Sequence, residues 1–271
     1  ATQQITRVLM TKIPYTAFVG RTANEFNFAD GLEQRYDANA LDSREKLIFN
    51  KLNTIGNNEE ALLAQAYDEM MGHQYANVQQ RIFATGNLLN KEFDYLRNEW
   101  DTKTKNSKAF GMKGDYKTDT AGIIDYKNNA YGFAYMHENE TVRLGESSGW
   151  YAGAVKNKFD FSDIGGSTEE QSIVKAGVFK SMPIGNDHNK GLNWTVSAEG
   201  FMGNGETKRK FLVVDDIFEA KSDFHSYGAS IKNEIRKNIR ASQRISISPY
   251  GSLKLEYGGF SGIKEDIGEM R

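Results

Sequence analysis

From about Lys108 to the C-terminus the apolar residues recur at every second position, a period that suits an extended strand with one apolar and one polar face. The clearest run is Leu192–Met202. Leu192, Trp194, Val196, Ala198, Gly200 and Met202 point one way; Asn193, Thr195, Ser197, Glu199 and Phe201 point the other. In Ile245–Tyr257 the apolar Ile245, Ile247, Leu253, Leu255 and Tyr257 oppose Ser246, Ser248, Ser252, Lys254 and Glu256. In Ser226–Arg236, Tyr227, Ala229, Ile231 and Ile235 oppose Ser226, Ser230, Lys232, Glu234 and Arg236. Around Asn129–His137, Tyr131, Phe133 and Tyr135 oppose Ala130, Gly132 and Ala134. Further strands are expected near Lys108–Lys117, Gly149–Phe161 and Gln171–Ser181. The sum is about seven strands of roughly 10 to 17 residues, well above the usual ~5 to 6. Between them Ser162–Gln171 and Glu206–Asp223 read as long polar loops, and Glu138–Glu146, Ser181–Gly191 and Arg240–Arg244 as shorter turns.

Two architectures share this alternation, a soluble antiparallel sandwich and an outer-membrane β-barrel. Strand length favours the barrel, because a tilted membrane strand needs about 9 to 11 residues in lipid alone. The long loops on one side and short turns on the other point the same way. A mean hydropathy of -0.61 does not exclude it, since lumen-facing residues offset the lipid-facing ones. No segment approaches the ~18 to 20 apolar residues of a membrane helix. A net charge of -2 without a Lys/Arg stripe predicts no nucleic-acid partner. The absence of Cys excludes disulfides and thiolate metal sites and suits passage through an oxidising periplasm. Ala1–Arg7 is polar and unlike a signal peptide, so any export signal is expected upstream of this sequence.

The first 106 residues follow other periods. Residues 1–40 carry short apolar runs without a sustained repeat and read as short strands or irregular chain, the end of a passenger or a linker. Residues 41–106 read as helical. Asp42-Ser43 and Glu45 cap a short helix that Gly56 stops, and Asn57 or Asn58 caps a longer run. Its apolar positions, Leu62 through Leu96, recur at helical spacing, with a break or kink expected at Gly72 or Thr85-Gly86. The last part, Asn87–Trp100, bears charge on its other face.

Enzymatic signals are sparse. His73, His137, His188 and His225 are scattered without metal-ligand spacing, and Gly203-Asn204-Gly205 lacks the apolar helix that a phosphate loop precedes. Asp215-Asp216 reads as loop charge near Lys208-Arg209-Lys210. No cofactor or metal is expected.

Several stretches carry a family likeness. Asn58–Tyr75 (NEEALLAQAYDEMMGHQY) resembles the segment just before the barrel in large adhesin-type autotransporters of anaerobic Gram-negative bacteria. Thr118–Tyr126, Ser148–Ala154 and Ser248–Lys254 are similar to parts of the same proteins. The resemblance implies a type V secretion translocator, with a barrel of about 12 strands in the outer membrane, a helix threaded through its lumen, and an N-terminal passenger carried to the cell surface. The implied fold is mainly β, a partial antiparallel barrel over 107–271 behind a helical segment. With about seven of the expected strands before Arg271, the barrel is expected to be truncated. On this likeness Asn87, Asn90, Lys91, Asp94 and Arg97 belong to the lumen helix, and Glu199, Lys232, Glu234, Arg236, Lys254 and Glu256 line the lumen. Implied partners are outer-membrane lipid, the barrel-assembly machinery, periplasmic chaperones and, for the passenger, host or bacterial surfaces. A narrower likeness, Asn87-Leu88-Leu89-Asn90-Lys91, is similar to the motif at which enteric serine-protease autotransporters cut their own lumen helix; it would make Asn87 the cyclising residue, with Leu88 in place of a second Asn. Against these stands the reading from pattern alone, a soluble secreted β-sheet binding protein with a helical arm.

Overall fold

The computed structural model describes residues 12–18, 22–36, 41, 43–56, 58–98, 106–140, 146–184, 191–237, 239–240 and 245–266. Helix α1 (Ala23–Tyr36) lies where short strands or irregular chain were expected. Its signals are local: the Thr22 hydroxyl accepts from the Glu25 amide at 3.2 Å, and Phe28, Leu32 and Tyr36 repeat every fourth residue to share one face with Ala29. Helix α2 spans Ser43–Leu52 and α3 spans Glu60–Met70. The α3 N-cap is Glu59 rather than an asparagine: its carboxylate turns back to accept from the Gly56 amide at 2.8 Å, and Asn57 lies outside the described residues.

Of the two expected breaks, one occurs. Gly72 adopts φ 77°, a left-handed value cheap only for glycine, and the chain turns through a 3-10 segment before α4 (Val78–Asn98). Thr85-Gly86 does not interrupt α4. The helix runs through both residues, and the Thr85 hydroxyl is turned back to donate to the Arg81 carbonyl at 2.9 Å.

Among the described residues the sheet has eight antiparallel strands and is not closed. In order they are β1 (Ser107–Tyr116), β2 (Tyr126–Glu140), β3 (Ser147–Phe161), β4 (Thr168–Pro183), β5 (Leu192–Val213) and β6 (Asp216–Lys237). The far side of β6 is paired by β9 (Tyr250–Phe260) and then by β10 (Lys264–Asp266). A small separate hairpin joins β7 (Ile239–Arg240) to β8 (Ser246–Ile247), so the expected strand Ile245–Tyr257 is split at Pro249, which supplies no ladder N–H.

One expectation fails outright. Glu206–Asp223 is no polar loop: β5 and β6 are each 22 residues long, paired from Leu192↔Lys237 to Val213↔Asp216 across a two-residue turn. The alternation persists through this segment with its faces exchanged. Glu206, Lys208, Lys221 and Asp223 point out, while Thr207, Arg209, Phe211, Phe218, Ala220 and Ser222 are buried. Arg209 inside Lys208-Arg209-Lys210 makes a strand look like a charge run.

The buried apolar residues form two large cores. The first joins α4 to the concave face of β2–β4. The second joins α1, α2 and α3 to the far end of the β5–β6 hairpin.

Candidate functional site

Over β2, β4, β5, β6 and β9 the outward face carries bulky apolar side chains. Tyr131, Phe133, Val174, Val178, Tyr227 and Ile231 are all exposed, and Met202 and Leu255 reach 74% and 69%. Trp150, near the end of β3, stacks obliquely against Tyr135 at 5.1 Å between centroids, and Trp194 occupies a matching end of β5. Such a band, rimmed by amphipathic aromatics, suits a hydrocarbon layer with water at its edges.

The inward face of β2–β4 mixes small apolar residues with the larger Met136, Tyr151 and Phe179, and α4 rests on it. Leu89, Phe93 and Leu96 share a buried cluster with Ala130, Ala134, Val155 and Ile173, and the Phe93 and Tyr151 rings lie 4.6 Å apart. Gly153 makes the approach possible: a Cβ there would sit 2.9 Å from Leu89 Cδ2 and 3.1 Å from Phe93 Cζ.

A fully buried ion pair locks one end of α4. Arg81 donates to Glu169 of β4 from Nε at 2.9 Å and from Nη2 at 2.7 Å, and to the carbonyls of Ala76 and Gln74 at 2.7 Å each. Glu169 also accepts from Gln171 at 2.7 Å and Thr207 at 3.1 Å, and the guanidinium lies 4.9 Å from the Phe161 ring centroid. Side-chain exposure is 2% for Arg81 and 0% for Glu169, so the satisfied partners are what make this burial tolerable. One turn on, Asn157 donates to the Thr85 hydroxyl at 3.0 Å and accepts from Asn128 at 3.1 Å. Sequence reading missed Arg81, Thr85, Asn157 and Glu169. The one available signal was an inward-period acid in β4 two residues before Gln171.

The opposite flank of α4 is polar and faces β5, β6 and β9 across a cavity of about 480 Å³. From the helix Asn87, Asn90, Lys91, Asp94 and Arg97 line it; from the sheet come Glu199, Lys232, Lys254 and Glu256. Asp94, Arg97 and the four sheet charges are in ion pairs. Glu199 accepts from the Tyr151 and Ser230 hydroxyls at 3.0 Å each and lies 3.1 Å from Lys254 and 3.6 Å from Lys175. Glu234 lies 2.9 Å from Arg97, 2.9 Å from Lys232 and 3.0 Å from Arg236, tying the helix to β6. Arg236 points inward with its guanidinium over the Tyr250 ring, apart from the residues lining the cavity. Lys175, overlooked in the sequence, donates to Asn90 Oδ1 at 2.7 Å. It was legible as a charge on the inward period of Ile173 and Phe179.

Asn87 also faces this cavity, and its one side-chain hydrogen bond among the described residues comes from Asn90 Nδ2 at 3.0 Å. No group of His, Cys, Asp and Glu able to hold a metal occurs among the described residues.

A concave antiparallel wall with bulky apolar residues outside, and inside it a helix locked by ion pairs, has the build of a translocator. A model of the autotransporter beta-domain matches residues 107–271, more than half of the chain. The chain belongs to the autotransporter beta-domain family. A comparison with curated proteins finds no match. Members of this family are outer-membrane translocators of Gram-negative bacteria and not an enzymatic family. The matched region begins at β1, so the inner helix α4 and the α1–α3 helices lie just ahead of the autotransporter beta-domain proper.

A third region surrounds the distal end of β5–β6. Arg209 pairs with Glu265 of β10 at 2.5 Å and donates to the Glu69 carbonyl at 3.0 Å. The Tyr75 hydroxyl reaches Ser222 and Glu265 at 2.9 Å each. Burial pushes the Tyr15, Tyr67 and Tyr75 phenols well above the usual tyrosine range and raises the Glu69 carboxyl.

Proposed function

We propose that this autotransporter beta-domain anchors the protein in the outer membrane through its outward apolar band, while α4 occupies the lumen as the trailing end of an N-terminal passenger carried to the cell surface. The observation that supports this is the seat of α4: one apolar flank on β2–β4, the other bound to lumen charges through Arg97–Glu234 and Lys175–Asn90, with Arg81–Glu169 locking its start. A helix held this way is continuous with chain on one side of the membrane and with the barrel wall on the other. Glu199, Lys232, Glu234, Arg236, Lys254 and Glu256 act as lumen residues on this reading.

The passenger is an adhesin for host or bacterial surfaces, a reading supported by the likeness of Asn58–Tyr75, Thr118–Tyr126, Ser148–Ala154 and Ser248–Lys254 to adhesin-type autotransporters. Outer-membrane lipid, the barrel-assembly machinery and periplasmic chaperones are its partners in biogenesis. The complete protein, produced in a Gram-negative host, tests the reading. Heat-modifiable gel mobility in the outer-membrane fraction and cleavage of the passenger by external protease are expected. A protein that leaves the membrane with high salt, shows one gel mobility and needs no detergent would instead be the soluble binding protein. Cell attachment that survives removal of the passenger would refute the adhesin assignment alone.

A further inference from the structure

The distal β5–β6 hairpin has a structural problem that the barrel does not solve. β4 stops pairing at Thr168↔Lys208 and β10 covers Lys221–Asp223, so beyond these points, among the described residues, the strands pair only with each other. A two-stranded ribbon is marginal in water, and the inner side of this one is apolar. Phe211, Val213, Phe218 and Ala220 are at most 8% exposed, and the two phenylalanine rings stack 5.9 Å apart. What covers them is α2, α3 and the 3-10 turn Tyr15–Phe18, through Tyr15, Ile48, Phe49, Leu52, Leu63 and Tyr67.

The covering helices have the same problem in reverse. At 14, 10 and 11 residues, α1, α2 and α3 are near or below the length at which an isolated helix holds in water, roughly 12 to 15 residues. The turn is also held from outside. Val214 has φ 61°, an unfavourable value for a β-branched residue, and Lys51 of α2 grips the two acids that follow it, Asp215 at 2.6 Å and Asp216 at 2.8 Å. Among the described residues each half buries its apolar side against the other.

This arrangement has a direction. The helices adjoin the N-terminal end of α4, and the outward face of the ribbon bears Glu206, Lys208, Lys221 and Asp223, so the ribbon stands in water past the apolar band. We propose, resting on the export reading above, that the β5–β6 tip is a folding platform for the exported chain. It captures residues 15–70 as they clear the mouth, and that capture holds the passenger outside. The Arg209–Glu265–Tyr75 contacts close the capture at the mouth, where α3 turns into α4.

The test uses the complete protein in a Gram-negative host, carrying Phe211→Ser with Phe218→Ser. Barrel assembly is read by heat-modifiable mobility, and docking by external protease cleavage within residues 15–70. The expected result is wild-type mobility, severalfold faster cleavage in 15–70 and a severalfold drop in passenger at the surface. Wild-type cleavage and wild-type surface level would overturn the proposal. Should that variant not assemble, the charge swap decides. Lys51→Asp should speed cleavage, and adding Asp215→Lys with Asp216→Lys should restore protection; no change with Lys51→Asp, or no restoration, overturns the contact as the basis of capture. Failure of the export reading shows separately, as a wild-type passenger that external protease never reaches.

Discussion

The proximal and distal halves of the β5–β6 hairpin share two strands and one unbroken register, yet their faces are exchanged. From Trp194 to Met202 and from Tyr227 to Ile235 the outward residues are apolar apart from Asn233, and the inward set includes Thr195, Glu199, Ser230 and Glu234. Beyond Asn204 and His225 the charges of Glu206, Lys208, Lys221 and Asp223 point outward, while Phe211, Val213, Phe218 and Ala220 point inward beside the paired Arg209. One strand pair thus passes between two solvents. Apolar groups face outward where the surroundings are hydrocarbon and inward where they are water, because burying apolar area away from water stabilises only on the side where water is. The exchange places the edge of the apolar layer near Met202–Asn204 and His225–Tyr227.

The largest effect that could break this contrast lies in the distal interior. Phe211→Ala should cost the helical region about 3–5 kcal/mol, the usual loss for a fully buried phenylalanine, and leave barrel mobility intact. Limited proteolysis of residues 15–70 in micelles reads it. Of similar size is the joint between the halves, where Glu169 accepts from Arg81 of α4 and from Thr207 of β5. Arg81→Met should cost about 3–5 kcal/mol by stranding a buried carboxylate. Adding Glu169→Leu should recover most of that, and a double-mutant cycle by denaturant unfolding would show an additive loss if the pair were not coupled.

Next comes the proximal outward face. Ile231→Lys should cost about 2–4 kcal/mol in a bilayer, whereas Lys208→Leu on the distal outward face should change little. Equal costs for the two would abolish the proposed boundary. A smaller effect concerns alkali. Burial keeps Tyr15, Tyr67 and Tyr75 protonated in the folded distal region, so above about pH 10 the unfolded chain binds fewer protons than the folded one. Stability of that region should therefore fall as pH rises through 10, with protease sites in 15–70 opening while barrel mobility persists. The least effect is expected from Asn87→Ala, which loses one hydrogen bond from Asn90. An altered passenger fragment pattern on a gel would give Asn87 a role that its contacts do not.

Much of the wall was legible because the pleat forces a period of two whatever surrounds the sheet. Leu192–Met202 and Ser226–Arg236 show it plainly, and the partial antiparallel architecture followed. The distal continuation was hidden for a physical reason: charge along Glu206, Lys208 and Lys210 has the composition of a loop, and only the partners of Phe211 and Phe218 reveal a strand. Helix α1 was hidden because its stripe of Phe28, Leu32 and Tyr36 is short and sits among polar residues. In α4 the apolar stripe was readable, but Arg81 looked like one more surface cation. Nothing in its neighbours announces Glu169, 88 residues away.

By itself, then, the sequence determined which residues of the proximal wall alternate, and that its long strands carry one charged and one apolar face. The tertiary structure alone decided which face is inside. Alternation is symmetric between the two sides of a sheet, and that symmetry is broken only by what packs against each: α4 on the concave wall, and α1–α3 on the ribbon that reaches past it.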